Sequence, residues 1–415
     1  IRTVLLASIA TGKSKITDLL EAEDVLNSLN TIKKLGVNFI KKKNYFEIHG
    51  VGINGFKLKK NLVLDAGNSG TLARCILGLC SAYENKIKLI GDESLSRRDF
   101  SRVIKPLNLF GVNIKSKNNK LPLYFNGSKL LRPIDYLELK GSAQIKTCII
   151  LSALNTPGTT NIKARKSRNH TELLLKYLKY PIRIKKTKNY DLISITGLKQ
   201  FKSFEYKVPG DISSAAFFIV LTLLSKKSEL IIKNINLNPS RTGIIKILKK
   251  MRAKIWIQNK KNYNGEIIGD IKIKSTKKFN SIKCPENLNS SMIDEFLLIF
   301  LVAAKSKGIS SFKKLGELNK KESPRLNIAI KFLKMLGVNV IRKNDDIRII
   351  GNPFLKLTKN YHVKNFRKDH RIFMMSVVAA LTLGGNNWII ENKDSINTSF
   401  PDFLNIMKKI GAKIN

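Results

Sequence analysis

Arginines and carboxylates gathered at the starts of apolar stretches are the residues of this sequence best suited to chemistry. The segment Asp65-Ala66-Gly67-Asn68-Ser69-Gly70-Thr71 follows an apolar run, Leu62 to Leu64, and precedes a stretch that reads as a helix from about Leu72 to Ala82. A glycine turn at a helix start offers free N–H groups and the positive end of the helix dipole, which suit a phosphate or a carboxylate. A plain strand-to-helix turn has the same pattern, and Arg74, one turn inside, inclines the reading toward an anion. Gly91 to Arg98 adds Arg97 and Arg98 just before a helical stretch that includes Arg102 to Leu109. A guanidinium fork matches a carboxylate or phosphate bidentately, although Arg97 fits a solvated salt-bridge patch better. Three further stretches end in apolar helices: Ile293-Asp294-Glu295, Lys320-Lys321-Glu322-Ser323-Pro324-Arg325 and Lys368-Asp369-His370-Arg371. Acids beside cations are candidates for proton transfer because neighbouring charge tunes their pKa, and they also read as ordinary charged helix N-termini.

The elements that must hold these residues recur. Six times an amphipathic stretch leads through a turn residue into a short alternating strand: TIKKLGVN (31–38), PLNLFGVN (106–113), LKYLKYPI (175–182), ILKKMRAK (247–254), FLKMLGVN (332–339) and IMKKIGAK (406–413). The turn positions are Gly36, Gly111, Pro181, Arg252, Gly337 and Gly411. Glycine just past a helix end accepts the left-handed conformation at least cost. Between the copies lie alternating strands, Lys86 to Ile90 and Leu192 to Ile195, and an apolar helix, Ser214 to Leu224. A period of roughly 70 to 85 residues is too long for a stacked solenoid, so the repeats are domain-scale and divide into three plus three. Val208-Pro209-Gly210 breaks the periodicity between the halves.

Composition bounds the rest. The 415 residues carry 76 Lys+Arg against 30 Asp+Glu, a net charge of +46 that invites a nucleic-acid reading. The lysines are spread among Asn and Ile, as in Lys41-Lys42-Lys43-Asn44, which fits a compositional bias better than a binding tail. Cys75, Cys80, Cys148 and Cys284 lack CxxC spacing, so zinc and disulfides have little support and reduced thiols are expected. No apolar run of about 18 residues and no signal-peptide pattern is found, so a cytoplasmic protein is expected.

Together, GNSGT (67–71), GDESLSRR (91–98), SAQIK (142–146), SRNHTE (167–172), VPGDISSAAFF (208–218), NPSRTG (238–243), IDE (293–295), KESPRL (321–326), DHRI (369–372) and TSFPDF (398–403) resemble, in order and rough spacing, the motif series of the 5-enolpyruvylshikimate 3-phosphate (EPSP) synthases. The resemblance implies an α/β fold, a two-domain inside-out α/β barrel of six βαβαββ repeats. Residues 7–207 would form the first domain, and 208–415 with the extreme N-terminus (1–6) the second. It also implies transfer of the enolpyruvyl group of phosphoenolpyruvate to the 5-hydroxyl of shikimate 3-phosphate with release of phosphate, no metal or cofactor, and a monomer with no membrane or specific nucleic-acid partner.

Carried over by motif, Asn68, Gly70, Arg98, Gln144, Arg325 and Arg371 would bind phosphoenolpyruvate. Arg2, Ser142, Ala143, Gln144, Arg168, Asp294 and Lys321 would bind shikimate 3-phosphate, with Asp294 also taking the 5-OH proton and Glu322 serving as acid/base at the enol carbon. Family members carry a catalytic Lys and a phosphate-binding Ser shortly before the residue matched by Arg2. The sequence starts at Ile1, so an N-terminal truncation is expected. Other departures are Asp99 in place of Pro, Pro324 in place of Asp, Asn169 in place of Asp, and no lysine before Phe400-Pro401. Pro324 is expected to tilt its loop. Gly70 stands where alanine shields some members from glyphosate, which implies sensitivity. The competing readings are a UDP-N-acetylglucosamine enolpyruvyl transferase, disfavoured because Asp92 or Glu93 replaces its reactive cysteine, and a basic RNA-binding or RNA-cyclase-like protein.

Overall fold

The computed structural model describes residues 1–414, and the chain divides into two compact units at Val208/Pro209. Each unit contains three sheets. In the first, the strand Leu62–Asp65 lies parallel to Lys86–Ile90, with the helix Gly70–Leu79 crossing between them. The helix Ser101–Phe110 then leads to the antiparallel strands Asn113–Lys115 and Leu123–Asn126, completing one βαβαββ copy. The same order recurs in Asp135–Glu138, helix Ala143–Leu154, Thr159–Arg165, helix His170–Tyr177, Ile182–Lys186 and Tyr190–Thr196.

The remaining copy of this unit is closed from both of its ends. Glu205–Lys207 pairs parallel with Thr11–Thr17, and the helix Arg2–Ser8 fills the place between them. Residues 1–6 therefore belong to the first unit, not to the second as the resemblance implied. The cause is apolar: Val4, Leu5 and Leu6 are at most 1% exposed in the first unit's core.

The second unit repeats the scheme less completely: among the described residues its sheets have three, four and two strands, the last being the parallel pair Asn360–Val363 and Asn387–Ile390. The helices Ile212–Leu224, Phe296–Ala304 and His370–Leu383 sit at its centre, and three sheets lie on them. Every residue of Phe296–Ala304 is buried, whereas the strands alternate buried and open positions, as in Thr159–Arg165. Helices apolar on all sides go inside and half-polar sheets outside, the inside-out order expected. Each fully buried Leu, Ile or Phe contributes roughly 1.5–3 kcal/mol. Phe296, Phe300 and Phe312 pack ring to ring, with centroids 5.1 to 6.1 Å apart.

Gly36, Gly111, Gly337 and Gly411 have the positive φ expected after their helices, and Arg252 adopts it too. In the third copy the left-handed residue is Lys179, not Pro181, because proline's ring locks φ near −65°. Pro181 instead leads into the strand Ile182–Lys186. The helix expected from about Leu72 to Ala82 runs Gly70–Leu79; the Ser69 hydroxyl accepts from the Leu72 N–H and starts it two residues earlier.

Candidate functional site

In the first unit the helices Gly70–Leu79 and Ala143–Leu154 bring their N-terminal turns together. Ser69 and Ser142 cap them, each hydroxyl accepting from the amide three residues on. Gln144 bridges the two: its Nε2 donates to Thr71 Oγ1 at 3.0 Å, and Arg74 Nη1 donates to its Oε1 at 3.0 Å. Arg74 is fixed in turn by the carbonyls of Gly70 and Asp99 and by the Phe100 ring, 4.8 Å from its guanidinium carbon. Arg98 Nη2 donates to Asn68 Oδ1 at 3.3 Å, and Asn68 Nδ2 donates to Asp92 Oδ2 at 2.6 Å. Asn68, Gly70, Arg98 and Gln144 thus form one cluster, with Ser142 and Ala143 at the same helix start. Arg168 lies half-buried ahead of the helix His170–Tyr177. Arg2 opens the first helix, with its charge felt at Cys75. Arg97 pairs with Glu93 at the surface, the solvated role expected of it.

Gly70 is tightly enclosed: a Cβ there would stand 2.8 Å from Arg74 Nη1 and 2.8 Å from Arg98 Nη1. Both are ends of flexible side chains, so the fold can accommodate alanine while the guanidinium groups shift. A charged hydrogen bond contributes about 1.5–3 kcal/mol. Gly70→Ala is expected to displace both guanidinium groups with little change in Tm, which a crystal structure of the variant and a melting curve will check.

In the second unit Arg325 is the centre. It is 1% exposed, and its Nε donates to Asp369 Oδ2 at 2.9 Å and its Nη2 to Asp369 Oδ1 at 3.2 Å. Its Nη1 reaches Asp294 Oδ1 at 3.2 Å, and its Nη2 also pairs with Glu322. Lys321 Nζ lies 3.2 Å from the same Asp294 oxygen, and Arg371 Nη1 donates to the Asp294 carbonyl at 3.2 Å. Asp294, Lys321, Glu322, Arg325 and Arg371 are therefore together. Pro324 lies immediately before the helix Arg325–Met335, where a missing N–H costs nothing, and the loop it was expected to tilt holds Glu322 against Arg325.

Asp369, absent from the predicted set, organises the cluster. It caps the helix His370–Leu383 through the Arg371 N–H and accepts from Ser323 Oγ at 2.8 Å. Burial is the largest influence and opposes its charge, but the charge and hydrogen bonding of Arg325 together with His370 hold its carboxyl below the usual value. Burial also opposes the charge of Arg325, and Asp369, Glu322 and Asp294 overcome it. The signal for Asp369 was its place in DHRI beside an apolar helix. Arg74 was noticed as a cation, but its hold on Gln144 links residues 70 positions apart and has no local pattern.

Burial pushes the His370 imidazole down from 6.5 to about 4. The folded protein favours the neutral ring, so unfolding takes up a proton between those values and stability falls as pH drops through that window, by up to about 3 kcal/mol. Asp369 adds stability above the usual carboxylate range that is lost at still lower pH. His370→Asn is expected to flatten the pH dependence of the urea midpoint between pH 4 and 6.5.

The sequence profile of EPSP synthase (3-phosphoshikimate 1-carboxyvinyltransferase) matches residues 1–407. The chain belongs to the EPSP synthase family. It is similar to the 3-phosphoshikimate 1-carboxyvinyltransferase of Ruthia magnifica, 39% identical over 100% of this chain and 93% of that protein. It is also similar to the EPSP synthase of Acinetobacter baumannii, with a TM-score of 0.85 and 33% identity over 100% of this chain and 93% of that one. The enolpyruvyl transferase NikO of Streptomyces tendae shares the fold, with a TM-score of 0.74 at 14% identity over 100% and 92%. Family membership makes the chain an enzyme, a transferase of the shikimate pathway and aromatic amino-acid synthesis. Among the described residues, no helix is long and apolar enough to cross a membrane.

Proposed function

We propose that the chain moves the enolpyruvyl group of phosphoenolpyruvate onto the 5-hydroxyl of shikimate 3-phosphate, with the residues above in the following roles. Arg98, Arg325 and Arg371 hold phosphoenolpyruvate's anionic groups, helped by Asn68, Gln144 and the backbone at Gly70. Arg2, Ser142, Ala143, Gln144, Arg168 and Lys321 hold the acceptor. Asp294 takes the 5-OH proton as that oxygen bonds to C2 of phosphoenolpyruvate, and Glu322, protonated at the start of the cycle, delivers its proton to C3. The resulting phospho-ketal then loses a C3 proton to Glu322 as the bond from C2 to the phosphate oxygen breaks, releasing phosphate. Fixed cations facing two anions and carboxylates placed for proton transfer are what this path needs.

The observation that carries the reading is Arg325, buried and shared by Asp294 and Glu322. Its charge keeps both carboxylates oriented, and each retains oxygen lone pairs for a proton. A nucleotide-sugar acceptor fits less well. All four cysteines are buried and burial pushes every thiol up, so none is poised as a thiolate. Asp92 is engaged in capping a helix and holding Asn68. Both proposed substrates are phosphorylated anions that do not cross membranes unaided, which supports work in the cytoplasm. Calorimetry tests the acceptor: shikimate 3-phosphate is expected to bind and to tighten phosphoenolpyruvate. Binding of UDP-N-acetylglucosamine without binding of shikimate 3-phosphate would overturn the reading.

A further inference from the structure

One buried charge cluster has no part in the chemistry above. Lys146, on the helix Ala143–Leu154, is 0% exposed and its Nζ lies 2.6 Å from Oε1 of Glu172, itself 2% exposed, on the helix His170–Tyr177. Glu138, also 2% exposed, ends the strand Asp135–Glu138. Its carboxylate accepts the backbone N–H groups of Lys140, Gly141 and Ser142 at 2.9, 2.8 and 3.3 Å. Burial pushes this carboxyl up, while those amides and the charge of Lys146 pull it back. Beside the ion pair, the buried hydroxyls of Thr147 and Thr171 join the same two helices at 2.8 Å.

A buried ion pair is a costly way to hold two helices, since well-packed apolar residues of similar volume usually do as well or better. What the charges add is direction. Glu138 fixes the turn that delivers Ser142, Ala143 and Gln144, and Glu172 lies four residues past Arg168 on the helix that follows that arginine. Glu138 is also paired in register with Ala164, on the strand leading to Ser167 and Arg168. The Ser167 hydroxyl is buried and makes no hydrogen bond within the described protein. Lys146 sits between the two acids, one turn below Ser142, whose carbonyl accepts its N–H.

We propose that Glu138, Lys146 and Glu172 are positioning residues for the acceptor. They hold the turn bearing Ser142–Gln144 and the loop bearing Ser167–Arg168 at the spacing that a phosphorylated polyol requires. This rests on the acceptor reading given above.

The test separates position from stability. Lys146→Met with Glu172→Leu replaces the ion pair by an apolar pair of similar volume. This double variant is expected to keep a Tm within a few degrees of the parent and to bind shikimate 3-phosphate at least tenfold more weakly by calorimetry. Glu138→Gln, which keeps shape but turns one acceptor into a donor, is expected to weaken the same binding and to speed hydrogen exchange at the amides of Gly141 and Ser142. A folded double variant with parental affinity overturns the proposal. If the double variant does not fold, Glu138→Gln decides, and parental affinity with unchanged exchange overturns it. Failure of the parent itself to bind shikimate 3-phosphate would instead reject the acceptor reading.

Discussion

Replacing Arg325 by methionine is expected to lower stability by about 3–5 kcal/mol and to remove measurable turnover. The stability loss follows from Asp369, which is fully buried and would lose both hydrogen bonds from the guanidinium. Breaking a buried pair from one side leaves an uncompensated charge, which costs about that much. The activity loss follows from the other edge of the same group, where Arg325 meets Asp294 and Glu322. Arg325→Lys is not expected to rescue either property, because one ammonium cannot meet three carboxylates in the guanidinium plane. Urea titration and phosphate release under identical conditions check both parts. An Arg325→Met protein with a parental urea midpoint would contradict the burial argument.

Glu322→Gln is the second large effect. The amide keeps the shape of the carboxyl and remains able to accept from Arg325, but it cannot exchange a proton with C3 of phosphoenolpyruvate. The expected result is a fall in kcat of about 10²–10⁴, the usual contribution of a positioned proton carrier. Affinity for shikimate 3-phosphate should change little. In deuterated water, incorporation of deuterium into the product methylene should fall in parallel with kcat. A variant with parental kcat would remove Glu322 from the proton path.

The repeats, the halves and the helices and strands named from the sequence were legible because apolar periodicity and terminal glycines are local signals. Lys86–Ile90 was read correctly to the residue. Lys179 was missed because a left-handed lysine carries no compositional mark, whereas Pro181 nearby does. The N-terminal helix was assigned to the wrong unit because Glu205–Lys207, which closes its sheet, lies at the opposite end of the unit's chain. The site residues were recognised as motifs, but the bonds that orient them were not. Arg74 to Gln144 spans 70 positions, Arg325 to Asp369 spans 44, and Lys146 and Glu172 lie on different helices. The first two join helix N-termini of separate copies and the third joins two helices of one copy, so none arises before the helices pack.

The most direct test measures phosphate release from phosphoenolpyruvate by the full-length protein with each acceptor in turn. Release that requires shikimate 3-phosphate, one phosphate per enolpyruvyl product, is the predicted result. Release only with UDP-N-acetylglucosamine, or none with either acceptor alongside tight, salt-sensitive RNA binding, would contradict it.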